Sequence, residues 1–207
     1  MKTFTYIFLA LMLLLNSCRQ NPKQKDVSSN SNAKQAKETE DKAIGKNGFQ
    51  LDQIKISTKE IGTFPYLDAP TGYKYVNQVD RKLEEKYFFH TDSLVMPVSG
   101  RYFHATIFSE GDNFEDTYIV TEYQKAIEKM DGVTIYSGNI PALAAMLIDE
   151  QKPNYVSDMY DPKPYKYKQF IIRTATENIW IELCHGLNAN QIDLTVISAA
   201  NEDKIRH

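Results

Sequence analysis

The chain has 207 residues, 42% of them hydrophobic, and a formal net charge of −3. The charge is uneven: residues 19–48 hold seven basic and four acidic residues, residues 49–207 hold 16 and 23. An acidic folded part of this size reads as one domain and excludes nucleic acid as an expected partner, because phosphate backbones are met by basic surfaces.

Met1-Lys2 is followed by an uncharged apolar run over residues 3–15. A short positive start and a brief apolar run form the pattern of a secretory signal; a membrane-spanning helix needs about 20 apolar residues. The run ends in Leu15-Asn16-Ser17-Cys18, which resembles the lipobox of bacterial lipoproteins. The resemblance implies a signal peptide over residues 1–17 and a Cys18 whose thiol carries diacylglycerol. It also implies an acylated amino group at Cys18, with palmitate as a typical chain. Each buried methylene contributes about 0.8 kcal/mol, so several chains hold a protein firmly where one binds marginally. Arg19 stands where some lipoproteins carry an Asp that retains them in the inner membrane. The expected location is therefore the outer membrane, with the face left open.

Residues 18–47 read as the lipidated cysteine and a flexible tether. The stretch is rich in Lys, Gln, Ser, Asn and Glu and has no aromatic residue, so it cannot bury enough apolar surface to offset its ordering entropy. Residues 48–207 are the expected α+β envelope domain. Its one cysteine, Cys184, lies in the apolar run Ile179-Trp180-Ile181-Glu182-Leu183-Cys184 and reads as a buried small hydrophobe.

Within that domain, Phe49, Leu51, Ile54 and Ile56 suggest a first strand. Residues 61–73, with two prolines and two glycines, read as a loop. Tyr87-Phe88-Phe89 and residues 93–99 suggest strands, and residues 101–109 a clearer one. The Ser99-Gly100-Arg101 step reads as a turn or bulge. A helix follows from an Asn113 cap, with Ile119, Tyr123, Ala126, Ile127 and Met130 on one face and Gly132 at its end. Residues 133–136 form a short strand. Asn139-Ile140-Pro141 opens a second helix with Leu143, Met146 and Leu147 on one side. Residues 155–165 make a Tyr- and Pro-containing loop. Three strands close the chain, over residues 167–175, 178–185 and 191–198; the last alternates as a half-exposed strand does. The expected fold is α+β, a mostly antiparallel sheet with about two helices packed on one face in a single domain.

The stretches Ile61-Gly62-Thr63-Phe64-Pro65-Tyr66, Ala69-Pro70-Thr71-Gly72-Tyr73 and Pro97-Val98-Ser99-Gly100-Arg101 resemble a periplasmic module. So do Met130-Asp131-Gly132-Val133, Tyr136-Ser137-Gly138-Asn139-Ile140-Pro141 and Ile179-Trp180-Ile181. That module precedes the peptidoglycan-binding domain in some outer membrane protein A family proteins. The resemblance covers residues 61–197 and rests on turns and core positions, so it implies a fold and a compartment and no reaction. No peptidoglycan-binding domain follows before His207, and peptidoglycan anchoring is not carried over.

Chemistry leaves few local signs. His90, His104, His185 and His207 have no zinc spacing; His104 and His185 could approach across a sheet. No nucleophile elbow, metalloprotease, phosphate-loop or dinucleotide motif is present. Asp112, Glu115 and Asp116 suit a helix N-terminus, and Glu84-Glu85 a solvated face. No catalytic residue, metal or cofactor is expected. The aromatic surplus is the candidate binding feature. Tyr66 and Tyr73 fall in the first Pro-containing loop, Tyr155, Tyr160 and Tyr165 in the second, and tyrosines are favoured at interfaces. The alternative is that these rings cover the core. The functional expectation is a non-enzymatic, membrane-anchored envelope lipoprotein that is structural or binds a protein or glycan partner. The alternatives are a hydrolase of envelope polymers and a small-molecule carrier.

Overall fold

The computed structural model describes residues 48–152, 166–186 and 190–201. Cys18, the tether, Tyr155, Tyr160 and Tyr165 lie outside them. Among the described residues six strands and two α-helices follow one another: β1 (Tyr73–Thr91), β2 (Leu94–Ser109), α1 (Asp116–Lys129), β3 (Val133–Asn139), α2 (Ala142–Gln151), β4 (Lys166–Arg173), β5 (Glu177–His185) and β6 (Ile192–Ala200). The strands form one antiparallel sheet in the order β1-β2-β6-β5-β4-β3. The α+β, mostly antiparallel reading is met.

Side-chain alternation sorts the core into two layers. Phe103, Phe170, Ile172, Ile179, Ile181 and Val196 pack with Ile119, Tyr123 and Ile127 of α1. Tyr102, Ile171, Trp180 and Ile197, their immediate chain neighbours, pack with Ala144, Leu147 and Ile148 of α2. Consecutive strand residues point to opposite faces, so the two helices lie on opposite faces of the sheet. This corrects the expectation of one face. It also corrects β6: Asp193 and Thr195 are as buried as Ile192 and Leu194, because a second layer covers the side that the alternation marks as wet. In α2 the buried side is Ala144, Leu147 and Ile148, and Met146 is exposed.

The first expected strand is absent as such. Leu51–Gln53 is a single 3-10 turn, and Ile56 makes one isolated bridge to Arg173. The two short strands expected before residue 100 are instead parts of one long hairpin, β1–β2, whose β1 runs 19 residues.

That hairpin bends, and three features show why. The β1–β2 register shifts between Val76 and Val79 and again between Arg81 and Glu84, and Asn77 in the first shift has φ 52°. Extra residues on one strand of a pair increase local twist and bend it. β6 accompanies β2 only from Arg101 onward. Gly100 sits at the point of departure, where a Cβ would lie 2.2 Å from the Ser198 carbonyl oxygen. Gly100 is thus a close approach inside β2 and not a turn. Beyond it Pro97, which has no N–H to donate, occupies a stretch of β2 paired on the β1 side alone. The tip crosses the α2 face of the sheet and reaches its far edge. There Phe88 meets Trp180, and Phe89 meets both Tyr136 and Tyr167, at centroid distances of 5.3–5.4 Å.

Gly100→Ala is expected to destabilise the protein by about 1–3 kcal/mol, the usual range for overpacking. Urea unfolding of the variant beside the native chain measures it; an unchanged midpoint would contradict the close approach.

Candidate functional site

Under the folded hairpin tip, the α2 face of the sheet carries a row of polar side chains where the alternation would permit apolar ones. Strand register aligns them: His104 on β2 opposes Thr195 on β6, Thr195 opposes Glu182 on β5, and Glu182 opposes Gln169 on β4. The neighbouring row is Thr106, Asp193, Cys184 and Tyr167. Lys86 comes from the hairpin above. Relative exposure is 2% for Lys86, 1% for Glu182 and 0% for Gln169.

The pairing within this group is dense. Lys86 Nζ lies 2.9 Å from Glu182 Oε1. Gln169 Nε2 donates to Glu182 Oε2, and Gln169 Oε1 accepts the Phe89 backbone N–H at 2.6 Å. Cys184 Sγ is 3.4 Å from Glu182 Oε1. Thr106 Oγ1 donates to Asp193 Oδ1 at 2.9 Å, with His104 Nε2 3.9 Å from the same oxygen and His104 Nδ1 3.4 Å from Thr195 Oγ1. One carboxylate therefore gathers an amine, a carboxamide and a thiol.

Burial and charge set the protonation tendencies. Burial works to lower Lys86, but the Glu182 charge, with contributions from Cys184 and Tyr102, carries it above its ordinary value. Burial pushes the Cys184 thiol well up, and Glu182 adds to this, so Cys184 is a poor thiolate and fits its expected place in the core. Burial also raises Asp193 from 3.8 to about 6, against the lowering effects of Thr106 and Lys86.

The candidates read from sequence lie elsewhere. Tyr66 is half-buried; its ring meets Phe64 at 5.6 Å and its hydroxyl donates to Glu177 Oε1 at 2.8 Å. Burial raises its hydroxyl from 10.0 to about 12. Tyr73 is also half-buried, its ring against Phe114 and its oxygen accepting the Glu115 N–H at 3.0 Å. Both belong to the layer on the α1 face. Nearby, the Arg101 guanidinium lies 4.2 Å from the centre of the Phe64 ring and pairs with Asp80 at 2.8 Å. His104 and His185 do not approach each other: His104 shares the α2 face with Thr106, whereas His185 lies beside Asp116 of α1, at 3.4 Å.

The Lys86–Glu182–Gln169 group has no local signature, since its members are 13 to 96 residues apart in sequence. The one visible cue is Glu182, a carboxylate inside the run Ile179 to Cys184, whose other residues are all apolar. No protein-family model, curated protein or solved structure matches this chain.

Removing one partner of a buried ion pair strands the other charge, at a cost of about 3–5 kcal/mol, whereas apolar replacement of both is often neutral. Lys86→Met is therefore expected to unfold at much lower urea than the double variant Lys86→Met/Glu182→Leu; equal midpoints would contradict the pairing.

The raised Asp193 carboxyl gives a second outcome. The folded protein holds that proton more readily than the unfolded chain, so this contribution is complete below pH 3.8 and is lost as pH rises to about 6. At 1.4 kcal/mol per unit the change amounts to about 3 kcal/mol. Asp193→Asn should flatten the stability profile across that window and leave the variant the more stable at neutral pH. A profile parallel to that of the native chain would contradict the assignment.

Proposed function

We propose that this chain is a non-enzymatic lipoprotein of the cell envelope, held at the outer membrane by acyl chains on Cys18. In this reading residues 18–47 are a leash, and residues 48–207 are one domain that serves as a structural element or binds an envelope protein or glycan. The observation that carries the reading is Leu15-Asn16-Ser17-Cys18 standing directly after an uncharged apolar run. The placement of the interior cluster supports its non-enzymatic half. Lys86, Glu182, Cys184, Asp193 and His104, the groups best suited to proton or acyl transfer, are each 2% exposed or less. A site that turns over an external substrate needs a cleft in which such groups converge. These converge on one another beneath a hairpin.

The likeness to the periplasmic module of outer membrane protein A family proteins agrees with this compartment. Partner contact is assigned to the tyrosines: Tyr66 stands beside Glu177 at the start of β5, Tyr73 opens β1 opposite Ser109, and Tyr155, Tyr160 and Tyr165 belong to the segment between α2 and β4.

Cells expressing the full chain and fed labelled palmitate should incorporate the label, and the protein should sediment with membranes. Cys18→Ser should lose the label and leave the membrane fraction. Native protein with an unmodified Cys18 would overturn the proposal.

A further inference from the structure

We propose that Lys86 and Gln169 condense inside the folded protein to an intramolecular isopeptide bond, with Glu182 carrying the protons. Four observations converge. The two oxygens of one carboxylate hold both reactants, Lys86 Nζ at 2.9 Å on Oε1 and Gln169 Nε2 on Oε2. The Gln169 carbonyl oxygen accepts the Phe89 N–H at 2.6 Å, which is where a donor must stand to hold the charge of a tetrahedral adduct. All three side chains are at most 2% exposed, so water is kept from competing and the reactants are held together at high effective concentration. The strands involved, β1 and β4, are not neighbours in the sheet; only the folding-over of the hairpin brings the amine to the carboxamide.

The step balances without an oxidant or co-reactant. Glu182 takes a proton from the Lys86 ammonium, and the freed amine attacks Cδ of Gln169, forming the new C–N bond. The oxygen takes the negative charge opposite the Phe89 N–H. Glu182 gives its proton to the carboxamide nitrogen, the Cδ–Nε2 bond breaks and ammonia leaves. The surplus proton on the new amide nitrogen returns to Glu182, which stays protonated, and ammonia leaves neutral. The product exchanges a buried ion pair for a neutral amide and locks the hairpin tip to β4. The event occurs once per chain and turns over no external substrate.

The full chain, digested with trypsin under denaturing conditions and read by tandem mass spectrometry, tests this directly. Trypsin cuts after a free lysine, so no cleavage after Lys86 is expected. A branched peptide should join the Lys86 segment to residues 169–173, lighter than its two linear parts by one ammonia. Glu182→Gln should give the two parts as separate linear peptides; where that variant does not fold, the native digest decides alone. Cleavage after Lys86 together with a linear Gln169 peptide overturns the proposal. A branch to Glu182, lighter by one water, overturns it as well, because it assigns the bond to the wrong carbonyl.

Discussion

The contact between Lys86 and Glu182 joins the last apolar stretch of β1 to the centre of β5, and much of the molecule is arranged around making it. A lone buried ammonium or carboxylate costs several kcal/mol, so neither residue is tolerable in the interior without the other. The hairpin must fold over for them to meet. The register shifts in β1, Gly100 against the Ser198 carbonyl, and the end of β6 pairing at Arg101 all serve that bend. Once it is made, Phe88 and Phe89 gain Trp180, Tyr136 and Tyr167 as neighbours. At about 1.5–3 kcal/mol per buried aromatic or aliphatic side chain, this apolar contact supplies the drive and the ion pair the register.

The two faces of the sheet do different work. The α1 face is apolar throughout its centre and is closed by a helix whose Ile119, Tyr123 and Ile127 were spaced for the purpose. Its rim is held by tyrosine hydroxyls: Tyr123 donates to Tyr75 at 2.9 Å, and Tyr75 donates to the Leu67 carbonyl at 3.1 Å. The α2 face mixes apolar and ionisable residues and is closed mainly by the chain's own hairpin. A face closed by a strand pair in place of a helix can accept backbone donors such as the Phe89 N–H, and the polar row uses that donor.

What could be read from sequence follows from what is local. Both helices and the three closing strands announce themselves through 3.6-residue and two-residue spacing over contiguous stretches. The β1–β2 hairpin does not, because Arg81, Lys82, Glu84, Glu85 and Lys86 look alike as charges, yet only Lys86 is buried. Its burial is decided by a bend at Gly100, fourteen residues further on in the pairing strand. The side on which each helix packs is likewise a property of connections across the sheet, and no pattern within Ala142–Gln151 encodes it. The loop tyrosines were visible as a surplus, but their hydroxyl partners, Glu177 for Tyr66 and the Glu115 amide for Tyr73, are remote in sequence.

Hydrogen exchange read residue by residue on the native chain tests the folded-over hairpin most directly. The account predicts that the Phe89 amide exchanges as slowly as the amides at the centre of β5, since it is buried and bonded to Gln169 on the far side of the sheet. Fast exchange at Phe89 beside a protected β5 would mean a hairpin tip open to water, and would contradict the closure on which the interior cluster depends.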